Sequence, residues 1–399
     1  MSITLALAAI VLAAVASQLL AARFRMPAII PLLVAGVVLG PSGVDAFDPD
    51  ELLGDLIDPF VALAVGAILF DGALTLRREQ LQEGVGSVVA RLCTIGVAVT
   101  WGFAAAGAGI LLGLDHRIAL LLGAVLTLSG PTVVIPLLDF VRPTRRVDSI
   151  LRWEGILVDP IGAILAVLVY HAVLSGGGSF EPAEFAGTIA VGALMGFAGA
   201  LLLALILGRP RFESHLEAST ILAVVLFAVA AASDLREDAG LVTAIAMGLV
   251  LAHRRRELVE RAPEFGQTLV SLLLGVLFVV LAARVAPADV ADLGLGGVAF
   301  VAVLVLVARP VSTMASTARA RISGRERALI AWMMPRGIVA AATASTFELG
   351  LADAAIPDSE KLVPATFLVI AATVAIYGLT ARPLALRLGL TEREPPAPE

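Results

Sequence analysis

Leu151-Arg152-Trp153-Glu154-Gly155-Ile156-Leu157-Val158-Asp159-Pro160-Ile161-Gly162-Ala163 carries two carboxylates, Glu154 and Asp159, inside one apolar run of helical length. Placing a carboxylate at the middle of a spanning helix costs about 2.5–3.5 kcal/mol even on the lenient insertion scale. Such a residue therefore faces a protein interior or a water-filled cavity, where it binds an ion or carries a proton. About twenty residues earlier, another apolar run is broken by Ser129-Gly130-Pro131-Thr132. A break of this kind frees backbone groups that complete ion sites in membrane proteins.

The surrounding chain is built for lipid. Its 399 residues are 59% hydrophobic with a mean hydropathy of +0.96, against about 45–50% apolar in soluble domains. Apolar segments fall at about 3–22, 27–42, 56–76, 88–112, 117–140, 149–174, 184–208, 217–233, 239–253, 265–284, 294–316, 327–347 and 361–386. An all-α polytopic membrane protein of about thirteen helices is predicted, rather than one to three soluble domains. The net charge of −6 says little by itself, but the loops alternate in sign. One set holds Arg23 and Arg25, Arg77 and Arg78, Arg142 to Arg146, Arg209 and Arg211, Arg254 to Arg256, Arg319 to Arg325, and Arg387. The other holds Asp45 to Glu51, Asp115, Glu181 and Glu184, Asp234 to Asp238, Asp289 and Asp292, and Asp353 to Glu360. Arginine-rich loops stay cytoplasmic, so the N-terminus is expected outside and the C-terminus inside. Met1 to Ala22 lacks the basic start of a signal peptide and reads as a first spanning helix.

Other classes of function find little support. Cys93 is the single cysteine, which excludes an intramolecular disulfide and a cysteine-rich metal site. His116, His171, His215 and His253 are scattered at loops and helix ends without zinc spacing. There is no glycine-rich phosphate loop after a strand pattern and no nucleic-acid-binding pattern, and nothing calls for a cofactor. An intramembrane enzyme would need a nucleophile beside a base, but the histidines stand away from Ser129 and Ser345.

The fifth segment is broken at Ser129-Gly130-Pro131-Thr132 and the twelfth at Met334-Pro335-Arg336-Gly337. If segments 1–6 and 8–13 are two similar halves, these breaks occupy corresponding places, and the extra crossing of segment 7 inverts one half against the other. Inverted repeats with paired interrupted helices put their site where the broken helices cross.

Asp159 lies about eleven residues into its segment, near mid-bilayer at a rise of about 1.5 Å per residue. Out of water, one carboxylate holds a proton or an alkali cation but not both comfortably, and that competition is the simplest physical basis for exchange. Glu154, five positions earlier, is turned about 140° around the helix and displaced about 7.5 Å along it, so the two acids do not share one ion. Glu154 needs a fixed counter-charge. Arg309, late in an apolar run, is the best buried cation, unless it snorkels to the cytoplasmic surface. Asp71, in Phe70-Asp71-Gly72-Ala73-Leu74, reads equally as part of the site or as an interfacial acid beside Arg77 and Arg78. Arg336, inside the second break, is placed to neutralise carbonyl ends of the interrupted helix. Ser129 and Thr132 add neutral oxygens, a ligand set suited to a hard monovalent cation on Asp159 rather than a divalent one.

In order and spacing, these stretches, with Arg309-Pro310, Pro335-Arg336-Gly337-Ile338-Val339 and Tyr377-Gly378-Leu379-Thr380, resemble the monovalent cation:proton antiporter superfamily in its sodium/proton-exchanger branch. The resemblance implies that Asp159 binds ion and proton, that Glu154 pairs with Arg309, that Asp71 helps to hold the ion, and that Ser129 contributes to the site. It implies a homodimer in the bacterial cytoplasmic membrane, exchanging Na⁺ or K⁺ for H⁺ electroneutrally and serving pH homeostasis. A cation channel on the same fold is the alternative. Within a membrane domain of 1–390, a core (about 88–174 and 294–386) would move against a dimerisation part (about 3–76 and 217–284), with a disordered tail at 391–399. Three positions depart from the branch: Val158 and Gly130 stand where relatives carry asparagine and aspartate, and Gly155 where a serine is common. The ion preference therefore does not carry over, and K⁺ stands beside Na⁺.

Overall fold

Lipid offers no partner to backbone N–H and C=O groups, so a chain of apolar runs must satisfy them within helices. The computed structural model describes residues 2–24, 26–76, 78–82, 84–174, 182–207, 214–236, 239–254 and 263–391. The first helices are α1 (Ile3–Phe24), α2 (Ile29–Leu39), α3 (Ile57–Leu74) and α4 (Val85–Leu111). Next comes an interrupted helix, α5a (His116–Val125) and α5b (Pro131–Val141), followed by α6 (Arg145–Leu174). Then follow α7 (Pro182–Leu207), α8 (Ser214–Leu235), α9 (Ala239–Arg254), α10 (Pro263–Ala283) and α11 (Gly294–Thr317). A second interrupted helix, α12a (Gly324–Trp332) and α12b (Ile338–Asp353), precedes α13 (Leu362–Leu388). Among the described residues seven helices are long and apolar enough to cross a membrane, and no strand forms beyond an isolated bridge.

The breaks have local causes. Gly130 takes φ 46 and ψ 114, a positive-φ backbone that favours glycine, and Pro131 then opens α5b at the position where a missing N–H is harmless. In α12 the chain turns extended at Met333 (φ −102, ψ 107), and Pro335 cannot supply the N–H to continue the helix. α6 presses directly on the first break. A Cβ on Gly162 would stand 2.7 Å from Thr127 Oγ1, so only glycine permits the approach.

Two details escape sequence reading. α4 and α11 each contain a π-type turn, Leu92–Gly96 and Leu304–Ala308, which inserts a residue and re-aims the side chains after it. The two helices meet where Ser316 Oγ donates to the Arg91 carbonyl at 3.2 Å. In addition, α13 is tied to both ends of broken α5. Asp358, before α13, accepts from the N–H of Asp115, the residue capping α5a, at 2.9 Å. Beyond the other end, Thr144 N–H donates to the Leu390 carbonyl at 2.7 Å, and Pro143 pairs with Thr391. Thr391, assigned to the tail from sequence, is thus paired, because its backbone meets the loop that follows α5b. Glu392–Glu399 lie outside the described residues, as do Arg25, Arg77, Arg209, Arg211, Arg255, Arg256, Glu181, Glu237 and Asp238 among the loop charges.

Candidate functional site

The site is assembled where α6 passes the two breaks. Within α6, Pro160 removes the N–H that would bond the carbonyl of Ile156, loosening the helix beside its second acid. Asp159 is fully buried, and its Oδ1 accepts from the backbone N–H of Gly130 at 3.3 Å. Gly130 makes this bond from a backbone of positive φ, at the residue just before α5b begins.

Glu154 meets different company. Arg309 Nη1 donates to Glu154 Oε1 at 2.5 Å and Nη2 to Oε2 at 2.9 Å, a two-pronged pair in which both residues are almost wholly inaccessible. The guanidinium is spent further by Nε, which donates to the Ile330 carbonyl at the end of α12a at 3.0 Å, and by a 3.4 Å contact from Nη1 to Met334 Sδ. Arg309 follows immediately on the π-type turn of α11, which sets its direction into the core rather than toward the surface. The snorkelling alternative is therefore not what the structure adopts.

Arg336 is buried, but its reach differs from the simplest expectation. Its Nη1 donates to the carbonyl of Thr127 at 3.3 Å, in the first break, so the cation of one interrupted helix caps the carbonyl end of the other. Its own N–H donates to Thr373 Oγ1 of α13 at 3.2 Å. Farther along α13, Trp332 Nε1 donates to Thr380 Oγ1 at 2.8 Å, and the indole stands edge-on to buried Tyr377. α13 thus supports the second break on both sides.

The remaining candidates separate. Ser129 is buried beside Glu154 in the first break. Asp71 is half-buried on α3; the next residue, Gly72, faces Ile135 of α5b and Ile156 of α6. The side chain of Thr132 lies outside the described residues. Sequence reading missed Thr127, Ile330, Met334 and Thr373. The first two act through backbone carbonyls, which leave no trace in composition, whereas a threonine in the apolar run of α13 was a weak available signal. Among the described residues no three His, Cys, Asp or Glu side chains gather as a metal cluster.

Chemically, Glu154 is neutralised in place by Arg309, while Asp159 accepts from a backbone amide at the first break.

A family model described as sodium/hydrogen exchanger, transmembrane, matches residues 7–387. The chain is 24% identical over 393 residues to the K(+)/H(+) antiporter NhaP of Alkalimonas amylolytica, covering 95% of this chain and 65% of that protein. To the K(+)/H(+) antiporter NhaP2 of Shewanella oneidensis it is 26% identical over 328 residues, covering 80% and 56%. It therefore spans less than two thirds of the length of these relatives. The solved structure of the sodium proton antiporter MjNhaP1 from Methanocaldococcus jannaschii at pH 8 shares its fold, with a TM-score of 0.81 at 22% identity over 97% of this chain and 99% of that one.

Proposed function

Because the chain belongs to the sodium/hydrogen exchanger family, we propose that it is a secondary antiporter exchanging Na⁺ or K⁺ for H⁺, with Asp159 as the group that alternately takes cation and proton. One observation carries the reading: α6 holds one acid bound at both oxygens by Arg309 and a second acid held by the N–H of Gly130 in a broken helix. Changing the occupant of Glu154 would strand a buried arginine, which makes Asp159 the candidate for exchange. Asp71, Ser129 and Thr132 are the further candidate ligands, Glu154–Arg309 the structural pair, and Arg336 the compensating charge at the breaks. With one cycling acid, exchange is one cation per proton and electroneutral. The names of the curated relatives favour K⁺ as strongly as the family description favours Na⁺.

The wider architecture proposed is thirteen crossings in two inverted halves, α1–α6 and α8–α13, with N-terminus outside and C-terminus inside a bacterial cytoplasmic membrane. Support comes from the interrupted helix in each half and from the π-type turn in the helix just before it, in α4 and α11. A core of α4–α6 and α11–α13 would move against a homodimer-forming remainder.

Reconstitution into liposomes tests the function. Adding Na⁺ or K⁺ should collapse an imposed pH gradient at the same rate whether the membrane potential is clamped or free, and a series from Li⁺ to Rb⁺ gives the preference. Cation current without proton movement would replace the antiporter with a channel.

A further inference from the structure

Between the two breaks lies a cavity of about 10 Å³, walled by Ser129 and Val134 on one side, Glu154 and Gly155 on α6, and Met333 and Met334 on the other. That is close to the roughly 10–15 Å³ that one water molecule requires, given two to four polar partners. Two such partners stand in the wall. Ser129 is 2% exposed, and its Oγ meets no hydrogen-bonding group among the described residues, a deficit that a buried hydroxyl fills with a partner where it can. Each oxygen of Glu154 takes one bond from Arg309 and, like any carboxylate oxygen, has room for a second. The space exists because residue 155 lacks a side chain: a Cβ there would stand 3.2 Å from the Val134 side chain.

We propose that this cavity is a site for a single ordered water molecule, which donates to Glu154 and exchanges a hydrogen bond with Ser129 Oγ. A metal cation is the wrong occupant, because Arg309 already cancels the charge of Glu154 and the opposite wall is thioether. The water fastens the first break to the Glu154–Arg309 pair. The hydroxyl of Ser129 is then a positioning group for that pair, leaving the Ser129 backbone to the ion. The site is independent of which ion Asp159 takes, and its test does not use transport.

A brief X-ray pulse turns bound water into hydroxyl radical in place; the radical adds to the nearest thioether sulfur, and dissolved O₂ takes the remaining hydrogen atom to leave the sulfoxide. Met333 and Met334 are 2% and 5% exposed, and Met314, at 60%, serves as the reference. In the whole chain in proteoliposomes, Met333 or Met334 should be oxidised within the pulse, whereas peroxide added from the bulk should mark Met314 and leave both unmarked. Ser129→Ala removes the partner and Gly155→Ala fills the space, so each should independently lower the buried labelling severalfold. If one variant fails to fold, the other still decides. The proposal is overturned if Met333 and Met334 stay unlabelled in the parent, if bulk peroxide reaches them, or if the folded variants label as the parent does.

Discussion

Glu154 and Asp159 share a helix, yet their surroundings give them opposite tasks. The arginine on Glu154 is itself fully engaged, so deleting either partner strands a buried charge, and breaking such a pair costs about 3–5 kcal/mol. Glu154→Gln should therefore lower the melting temperature of the purified protein markedly. Joint replacement by Glu154→Leu and Arg309→Met should recover most of that loss, since apolar residues of similar volume fill such sites without penalty. An unchanged melting temperature in the single variant would remove the structural role. The division was partly legible in the sequence: five residues of helix separate the acids by about 140°, and Arg309, late in an apolar run, was the best buried cation available. That Arg309 also binds the Ile330 carbonyl was not legible, because the π-type turn that aims it has no composition signature.

The interrupted helices work as elements through backbone rather than side chain. Gly130 donates its N–H to Asp159 from a positive-φ backbone, which a residue with a Cβ rarely adopts. Gly130→Ala should raise the apparent KM for the cation severalfold with Asp159 untouched; an unaltered KM would show that this N–H does not shape the site. Proline and glycine announced both breaks, but their cross-capping, Arg336 to Thr127, depends on how the breaks cross and could not be read along the chain. The tie between α5a and α13 is electrostatic in part. The hydrogen bond from Lys361, then that from Asp115 N–H, hold the Asp358 carboxyl below its usual range. A carboxyl depressed in the folded state stabilises above its unfolded value, about 3.9, and loses that contribution as pH falls through the lower folded value. The tie should thus persist across neutral and mildly acidic pH. Asp358→Asn should lower the melting temperature by the same small amount at pH 7 and pH 5.5, with the difference closing only in strong acid. A difference already gone at pH 5.5 would make Asp358 a pH sensor instead.

For the whole molecule, hydropathy revealed a helical membrane chain, and the helices stand on the apolar runs with ends moved by a few residues, as at α6, which starts at Arg145 rather than near 149. What sequence could not give is the way α13 braces the second break and both ends of α5, because those contacts join residues far apart in the chain. The bracing matters for function, since a carboxylate that swaps a cation for a proton needs surroundings that do not collapse when its charge changes. The account stands on Asp159 being that carboxylate. Its most direct test is cation-driven collapse of a pH gradient in proteoliposomes, potential clamped, comparing the parent with Asp159→Asn. The parent should exchange and Asp159→Asn should not, in either direction and with either Na⁺ or K⁺, while remaining folded. Full exchange by Asp159→Asn would contradict the account.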